Sequence, residues 1–322
     1  ALEDMVGSPK KIILVTGGLG FIGGHLVERL VEKNWKVIVP YYYKTQQEKF
    51  NFQRHKNMAT ILKINILDFK KIILALQKYK VNSIIHLAAE SQVTKALNAP
   101  LQTLRTNVMG TAAILEAAKI VGGIENIIIA SSDKAYGKSI KSYRECDQLR
   151  GDHPYDVSKS SADLIAQTYY KTYHLPVIIT RFGNVYGQAD LHFERLIPGI
   201  CRSIFTRKMF EVRSNGKYAR DYLHIDDVVD GYLFLLKNFK KVKGGAFNFS
   251  SGDNLSVLSV IRKMENILDQ KIPYKIVNNA VNEIPSQHLD DTKIRKLGWK
   301  SKNDMDGTIA SVFSWYHSYF SK

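Results

Sequence analysis

Tyr155 and Lys159 stand four residues apart in HPYDVSKSSADLIAQ, so on a helix they share one face. A tyrosine near its reference pKa of about 10 is a poor base at neutral pH, but an adjacent ammonium and an oxidised nicotinamide ring both favour phenolate. Such a phenolate can take the proton of a substrate hydroxyl while hydride leaves the same carbon. The same spacing arises by chance on many surface helices, and the residues upstream give it meaning. Ser131, Ser132 and Asp133 follow the strand-like run Ile127–Ala130, at the carboxyl end of a sheet, where ligands bind in doubly wound folds. Ser132 is the candidate to hydrogen-bond the reacting oxygen; the alternative is a strand-end serine that caps the next turn.

Gly17, Gly20 and Gly23 form G-x-x-G-x-x-G between a β-branched run and a segment of helical periodicity. Such glycines let backbone approach a pyrophosphate, and the helix N-terminus offers it unpaired N–H groups and partial positive charge. With Phe21 and Ile22 at the mouth of the helix, the turn is the candidate dinucleotide site. Where the second strand ends, an acidic residue would bind the adenosine ribose and exclude NADP. Here Pro40, Tyr41, Tyr42 and Tyr43 are followed by Lys44. NAD is the expected cofactor and NADP stays open, since Lys44 fits either a 2′-phosphate or a solvated loop.

These side chains need a scaffold, and its outline is periodic. Lys11–Thr16, Trp35–Val39, Thr60–Ile64, Ser83–Leu87, Ile127–Ser131 and Val177–Arg181 read as strands, alternating with helical segments such as Phe21–Lys33, Lys70–Lys80 and Thr111–Val121. Alternation of this kind predicts an α/β, Rossmann-like doubly wound parallel sheet covered on both faces. Beyond Phe182, glycines and Pro198 interrupt the pattern, and a smaller, discontinuous substrate-binding cap is expected. The expected boundaries are 10–182 for the dinucleotide domain, rejoined by about 226–249, and 183–225 with 250–322 for the cap. Within these, Val228–Leu236, Val257–Leu268 and Asp306–Tyr319 read as helices and Ala246–Phe249 as a strand.

Composition narrows the function classes. A chain of 322 residues can bury a full core, and its longest apolar runs are strand-length, against the roughly 20 residues of a membrane span. No membrane segment is expected. Residues 1–10 carry no apolar signal core and read as a trimmed leader or an expression remnant, outside the fold. Cys146 and Cys201 show neither disulfide nor metal-ligand spacing, so no metal is expected and a reducing cytoplasm fits. A net charge of +16 invites nucleic acid, yet the basic residues are scattered through the chain. A basic cleft for an anionic substrate uses the charge better.

Six motifs in order resemble the extended short-chain dehydrogenase/reductase family of nucleotide-sugar epimerases and dehydratases. They are TGGLGFIG at Thr16–Gly23, HLAAES at His86–Ser91, SSDKAYG at Ser131–Gly137, YDVSK at Tyr155–Lys159, RFGNVYG at Arg181–Gly187 and RDYLHIDD at Arg220–Asp227. The resemblance implies a seven-stranded parallel sheet with a sugar-nucleotide cap, and a homodimer formed through the helix of the Tyr-Lys pair. It further implies that Leu87, Ala88 and Ala89 pass behind the cofactor, that Ile66 lies near adenine and that Asn107 supports the active site. Ser91, Asn184, Arg213 and Arg220 become the substrate candidates, Asn184 and Arg220 for the diphosphate. For Arg220 the competing expectation is a structural salt bridge to Asp226 or Asp227. The segments Phe210–Arg213 and Ile284–Leu289 are expected to border the nucleotide.

Asp133 and Lys134 direct the expectation within the family. Dehydratases acting on dTDP-glucose usually carry Asp-Glu here, and epimerases usually lack the pair. Asp-Lys resembles the CDP-glucose 4,6-dehydratases. The implied reaction is conversion of a nucleotide-diphosphate hexose, CDP-glucose-like or GDP-linked, to its 4-keto-6-deoxy form. Tyr155 would be the base at the C4 hydroxyl, Asp133 the acid for the departing 6-hydroxyl, and Lys134 the C5 base or a partner that places it. A C4 epimerase of the same family is the runner-up, and a non-catalytic dinucleotide-binding protein the remote alternative.

Overall fold

The structure is a computed structural model that describes residues 11–42, 45–139, 141–279 and 284–322. Residues 1–10, Tyr43 and the cofactor candidate Lys44 lie outside the described residues. In chain order come β1 (Ile12–Thr16), α1 (Phe21–Glu32), β2 (Lys36–Tyr41), α2 (Gln46–His55), β3 (Thr60–Lys63), α3 (Phe69–Tyr79) and β4 (Ser83–His86). Next are α4 (Val93–Asn98), α5 (Pro100–Leu104), a π-helical turn (Arg105–Met109), α6 (Gly110–Val121), β5 (Asn126–Ala130), a 3-10 turn (Asp133–Tyr136), α7 (Pro154–Tyr173) and β6 (Val177–Phe182). Then follow β7 (Asn184–Tyr186), α8 (Leu196–Thr206), β8 (Phe210–Val212), β9 (Ala219–His224), α9 (Ile225–Val242) and β10 (Ala246–Phe249). The chain closes with β11 (Asn254–Ser256), α10 (Val257–Leu268), β12 (Tyr274–Ile276), α11 (Thr292–Lys296) and α12 (Met305–Phe320).

Seven strands form a parallel sheet in the order β10-β6-β5-β4-β1-β2-β3, the Rossmann-like arrangement that the alternation predicts. β1 and β4 are buried along their whole length, as strands covered on both faces must be, and their inner residues, Ile12–Val15 and Ile84–Ile85, are accordingly apolar. β2 runs two residues past the expected Val39, through Pro40. Its pairing with β1 ends at Ile38, so the missing N–H of Pro40 costs no bond on that side, while Pro40 and Tyr41 still pair with Leu62 and Lys63 of β3. α2 lacks an apolar stripe and escapes a periodicity search. Its capping box marks it instead: Thr45 accepts from the Glu48 N–H at 3.3 Å, and Glu48 accepts from the Thr45 N–H at 2.7 Å. α9 extends well beyond the expected Val228–Leu236, starting straight from β9 and ending with Lys240 and Lys241, whose charge suits a helix C-terminus.

Packing divides the chain into two compact units, residues 1–130, 161–179 and 239–245 in one, and 131–160, 180–238 and 246–322 in the other. This differs from the expected boundary at 182, because the 131–160 segment is tied by side-chain hydrogen bonds to Asn248 and by backbone hydrogen bonds to His288 and Asp290. In the first unit, His86 at the end of β4 is hydrogen-bonded to Thr16 at 2.7 Å and to Thr111 at 3.1 Å, fixing β1, β4 and α6 to one another. The second unit adds a three-stranded sheet, β11-β9-β7, and the pair β12-β8. Its core joins α8, α10 and α12 through Ile200, Cys201, Ile261, Met264, Val312 and Tyr316. Among the described residues no helix is long and apolar enough to cross a membrane.

Candidate active site

In the first unit the glycine turn is shaped by close contact. Gly17 has a φ of +68°, and a Cβ there would meet the Ala88 nitrogen at 2.7 Å and the Leu87 carbonyl carbon at 2.9 Å. Leu87 and Ala88 therefore pack directly behind the turn, and the Ala88 N–H is held by Thr16 at 3.2 Å. A Cβ on Gly23 would fall 2.0 Å from the Gly17 carbonyl oxygen, so α1 can approach β1 only without a side chain there. Gly20 differs, because its Cβ would meet only the Gly17 oxygen, at 3.1 Å. The protein's own crowding is therefore far milder there than at Gly23, and a pyrophosphate against the turn would add to it. Gly20 also begins α1 with no side-chain cap and no acidic residue in the first turn, which leaves amide donors available to an anion. The residues present fit a dinucleotide. Asn51, a residue that sequence patterning did not single out, donates to the carbonyls of Leu19 at 3.0 Å and Gly20 at 2.8 Å and braces the turn from behind.

The other first-unit candidates fall nearby in sequence and take distinct places. Phe21 is buried and Ile22 half-buried. Ile66 packs on the start of α6, where a Cβ on Gly110 would meet its Cδ1 at 2.6 Å. Asn107, buried in the π-helical turn, accepts from the Glu90 N–H at 2.7 Å and donates to the Glu90 carbonyl at 3.0 Å. It thereby fixes the loop Leu87–Ser91, with Ala89 half-buried and Ser91 exposed.

In the second unit the catalytic candidates come together around the 3-10 turn. Asp133 is 1% exposed; its Oδ1 accepts from the Ser132 hydroxyl at 2.9 Å and from Lys134 Nζ at 3.2 Å. Its Oδ2 has no hydrogen-bond partner among the described residues, an orphaned acceptor suited to a substrate hydroxyl. Ser132 caps the turn, its hydroxyl accepting from the Lys134 N–H at 3.2 Å. Lys134 reaches Asn184 Oδ1 at 3.4 Å, so Asn184, expected at the diphosphate, here bears on the lysine. Tyr155 and Lys159 lie one turn apart on α7 and both are buried. The expected lowering of the Tyr155 pKa by Lys159 is outweighed in the protein by itself. Burial drives it up, the Asp133 charge adds to that, and the Ser132 hydrogen bond and the Arg195 charge only partly offset the rise.

The sequence profile of the family described as GDP-mannose 4,6 dehydratase matches residues 14–312. The chain belongs to this family. Among its relatives, the dTDP-D-glucose 4,6-dehydratase of Dictyostelium discoideum is 29% identical over 362 residues, covering 94% of this chain and 81% of that enzyme. The trifunctional UDP-glucose 4,6-dehydratase/UDP-4-keto-6-deoxy-D-glucose 3,5-epimerase/UDP-4-keto-L-rhamnose-reductase of Arabidopsis thaliana is 28% identical over 316 residues, covering 95% of this chain. The chain spans 47% of that relative, about half its length. The structure of the dTDP-glucose 4,6-dehydratase of Streptomyces venezuelae, solved with NAD bound, superposes with a TM-score of 0.87 at 27% identity, covering 95% of this chain and 97% of that one. The family is one of nucleotide-sugar dehydratases and epimerases, and the chain is an enzyme of that group.

In this family member several residues near the turn went unread in the sequence. Asp156 follows Tyr155 on α7 and is 5% exposed; burial pushes its carboxyl up to about 6, against the pull of Lys134 and His153. Arg195, at the start of α8, is held at 3.0 Å by Asp190, itself 1% exposed, and its charge bears on Tyr155. Tyr143 stacks on Tyr136 at 4.8 Å and faces the charge of Arg220. The buried Gln287 Nε2 has no hydrogen-bond partner among the described residues. Spacing could not flag Arg195, Tyr143 and Gln287, because each reaches the cluster from a separate segment of the chain. Arg220 is half-buried and donates to the Ala219 carbonyl at 2.8 Å. Asp226 lies 3.6 Å from His224, and Asp227 accepts from the backbone of Lys302 and Asn303. Arg213 is exposed and donates to the Glu194 carbonyl at 3.0 Å.

Proposed function

We propose that the chain is an NAD-dependent nucleotide-hexose 4,6-dehydratase, and the observation that carries this is the buried Asp133 held between Ser132 and Lys134. An epimerase needs only a base at the C4 hydroxyl. Loss of water needs in addition an acid for the C6 hydroxyl and a base for the C5 proton, and the Asp133–Lys134 pair supplies two such groups in contact. Gly17, Gly20, Gly23 and the Leu87–Ala89 loop would hold the dinucleotide, with Tyr155 and Lys159 at its nicotinamide. When bound, that group accepts hydride from C4 and returns it to C6.

The remaining steps fall to side chains. Tyr155, as phenolate, takes the proton of the C4 hydroxyl, and the resulting ketone acidifies C5–H. Lys134, as the neutral amine, removes the C5 proton and later returns it to C5. Asp133, as the carboxylic acid, protonates the departing C6 hydroxyl, which leaves as water. Arg220 and Arg195 supply positive charge for the substrate diphosphate.

CDP-glucose is the first substrate to try, because the Asp-Lys pair is the feature that resembles enzymes of that nucleotide; GDP-, UDP- and dTDP-hexoses complete the panel. The expected result is loss of one water by mass and a 4-keto chromophore with one nucleotide. An isomer of unchanged mass would assign the chain to the epimerases instead. Absence of any product or reduced cofactor across the panel would leave a dinucleotide-binding protein without this chemistry.

A further inference from the structure

A lysine on its flexible stem samples many rotamers, whereas a base must present one atom in one direction. The Lys134 Nζ is met from two separate segments of the chain. Asp133 Oδ1, on the 3-10 turn, accepts from it at 3.2 Å, and Asn184 Oδ1, at the start of β7, accepts at 3.4 Å. Both acceptors are themselves fixed. Asp133 is 1% exposed and its Oδ1 also accepts from the Ser132 hydroxyl at 2.9 Å. β7 pairs in parallel with β9, Asn184 opposite Tyr222, and the preceding Gly183 lies so close to β9 that a Cβ would meet the Asp221 carbonyl oxygen at 3.0 Å. A neutral primary amine carries two N–H donors and one lone pair, tetrahedral about nitrogen. With one N–H directed to Asp133 and the other to Asn184, a single direction remains for the lone pair.

We propose that Asn184 is a positioning residue for the C5 base: with Asp133 it fixes the rotation of the Lys134 amine and directs its lone pair to the C5 proton. The inference rests on the dehydratase reading and deepens it, because an epimerase removes no C5 proton and has no use for such a clamp. When the base acts, the C5–H bond breaks, an N–H bond forms at Nζ along the one open direction, and the electron pair of C5 passes into the enolate of the C4 ketone. The ammonium so formed keeps both acceptors, so its new proton stays aimed at C5 for return. Asp133 Oδ2, which has no hydrogen-bond partner among the described residues, gives the proton of the acid a place of its own. Oδ1 therefore goes on accepting from Lys134 whether Asp133 is carboxylate or carboxylic acid.

The test uses a nucleotide-6-deoxyglucose in deuterium oxide, first CDP-6-deoxyglucose and otherwise the one carrying the nucleotide that the panel selects. This probe can be oxidised at C4 and has no C6 hydroxyl to expel, so two steps are read separately: C4 oxidation as absorbance of reduced cofactor, and C5 deprotonation as loss of the C5–H signal by NMR. The Lys134 side chain is 21% exposed, which lets its amine exchange protons with solvent. The wild-type enzyme should replace C5–H by deuterium, and Lys134→Ala should not. Asn184→Ala should lower the ratio of C5 exchange to C4 oxidation by about 10- to 100-fold, the loss expected of a misdirected base. Asn184→Asp keeps an acceptor in place and adds a charge that favours ammonium, so its exchange should recover as pH rises, while that of Asn184→Ala stays low. A role at the diphosphate, or in folding alone, would lower exchange and oxidation together. An unchanged ratio in Asn184→Ala, or exchange in Lys134→Ala, overturns the proposal while the dehydratase reading stands. Should Asn184→Ala lose C4 oxidation altogether, the alkaline recovery of Asn184→Asp carries the comparison, and its absence overturns the proposal. Absence of C5 exchange in the wild-type enzyme overturns the dehydratase reading and the proposal with it.

Discussion

Asp133 and Asp156 are two buried carboxylates near one lysine, and their surroundings assign them different work. Asp133 is bonded by Ser132 and Lys134 and keeps one oxygen unpartnered, which suits an acid that meets substrate. Asp133→Asn should preserve C4 oxidation, visible as bound reduced cofactor, and lower the dehydration rate by about 10²- to 10⁴-fold in single-turnover measurements. Dehydration at the wild-type rate would remove Asp133 from the mechanism. Asp156 lies on the first turn of α7 with its carboxyl pushed up to about 6 by burial, from an ordinary 3.8. A folded-state pKa above the unfolded one means that the native state binds the proton more tightly. Its contribution is therefore fully present below about pH 4 and is lost as pH rises through about 6, by on the order of 2 to 3 kcal/mol. Asp156→Asn should flatten the wild-type decline over that window, read by denaturant unfolding at a series of pH values. The Tyr-Lys pair and the Ser132–Lys134 run are adjacent or one helical turn apart, and so were legible in the chain. Asp156 was not, since adjacency to Tyr155 carries no information about burial.

At the scale of elements, the glycine turn separates two demands that the motif merges. Gly23 is required by the protein, with the Gly17 carbonyl 2.0 Å from where a Cβ would sit. At Gly20 the protein crowds a Cβ only mildly, with the Gly17 carbonyl 3.1 Å away, and the stronger demand comes from what binds. Gly23→Ala should cost about 1 to 3 kcal/mol in unfolding experiments and weaken cofactor binding as a consequence. Gly20→Ala should change stability by less than about 1 kcal/mol while markedly weakening the dinucleotide in a binding titration. Equal effects of both on stability would contradict this division. The strands and helices of the parallel sheet were legible because burial on both faces forces β-branched runs, and helices against the sheet need an apolar stripe. The short strands of β7, β8, β11 and β12 were not, since three residues are too few to show a period.

Across the whole molecule, the catalytic turn is held by a buried polar network assembled from distant parts of the chain. Arg181, 1% exposed, donates to the Tyr136 hydroxyl at 2.7 Å, and that hydroxyl donates to Asn248 Oδ1 at 2.7 Å. Asn248 in turn donates from its side chain to the carbonyls of Tyr143 at 2.9 Å and Asp290 at 3.1 Å, and from its N–H to Glu145 at 2.9 Å. Asn248→Ala would strand the Tyr136 proton and the Asp290 carbonyl in the interior. It should lower stability by about 2 to 4 kcal/mol in denaturant unfolding and reduce kcat/KM through the loosened turn. A loss within about 0.5 kcal/mol would show that the network adds little. The sequence by itself determined the alternating α/β architecture, the glycine turn and the spacing that sets Ser132 beside Asp133 and Tyr155 one helical turn from Lys159, because each depends on residues close along the chain, where helix and strand periods fix their relative positions. Only the tertiary structure decided which distant groups surround that chemistry: Asn51 behind the glycines, Asn184 against Lys134, Arg195 acting on Tyr155 and Asn248 under the turn. Those contacts join residues far apart along the chain, and packing of whole elements, which no local period records, brings them into register.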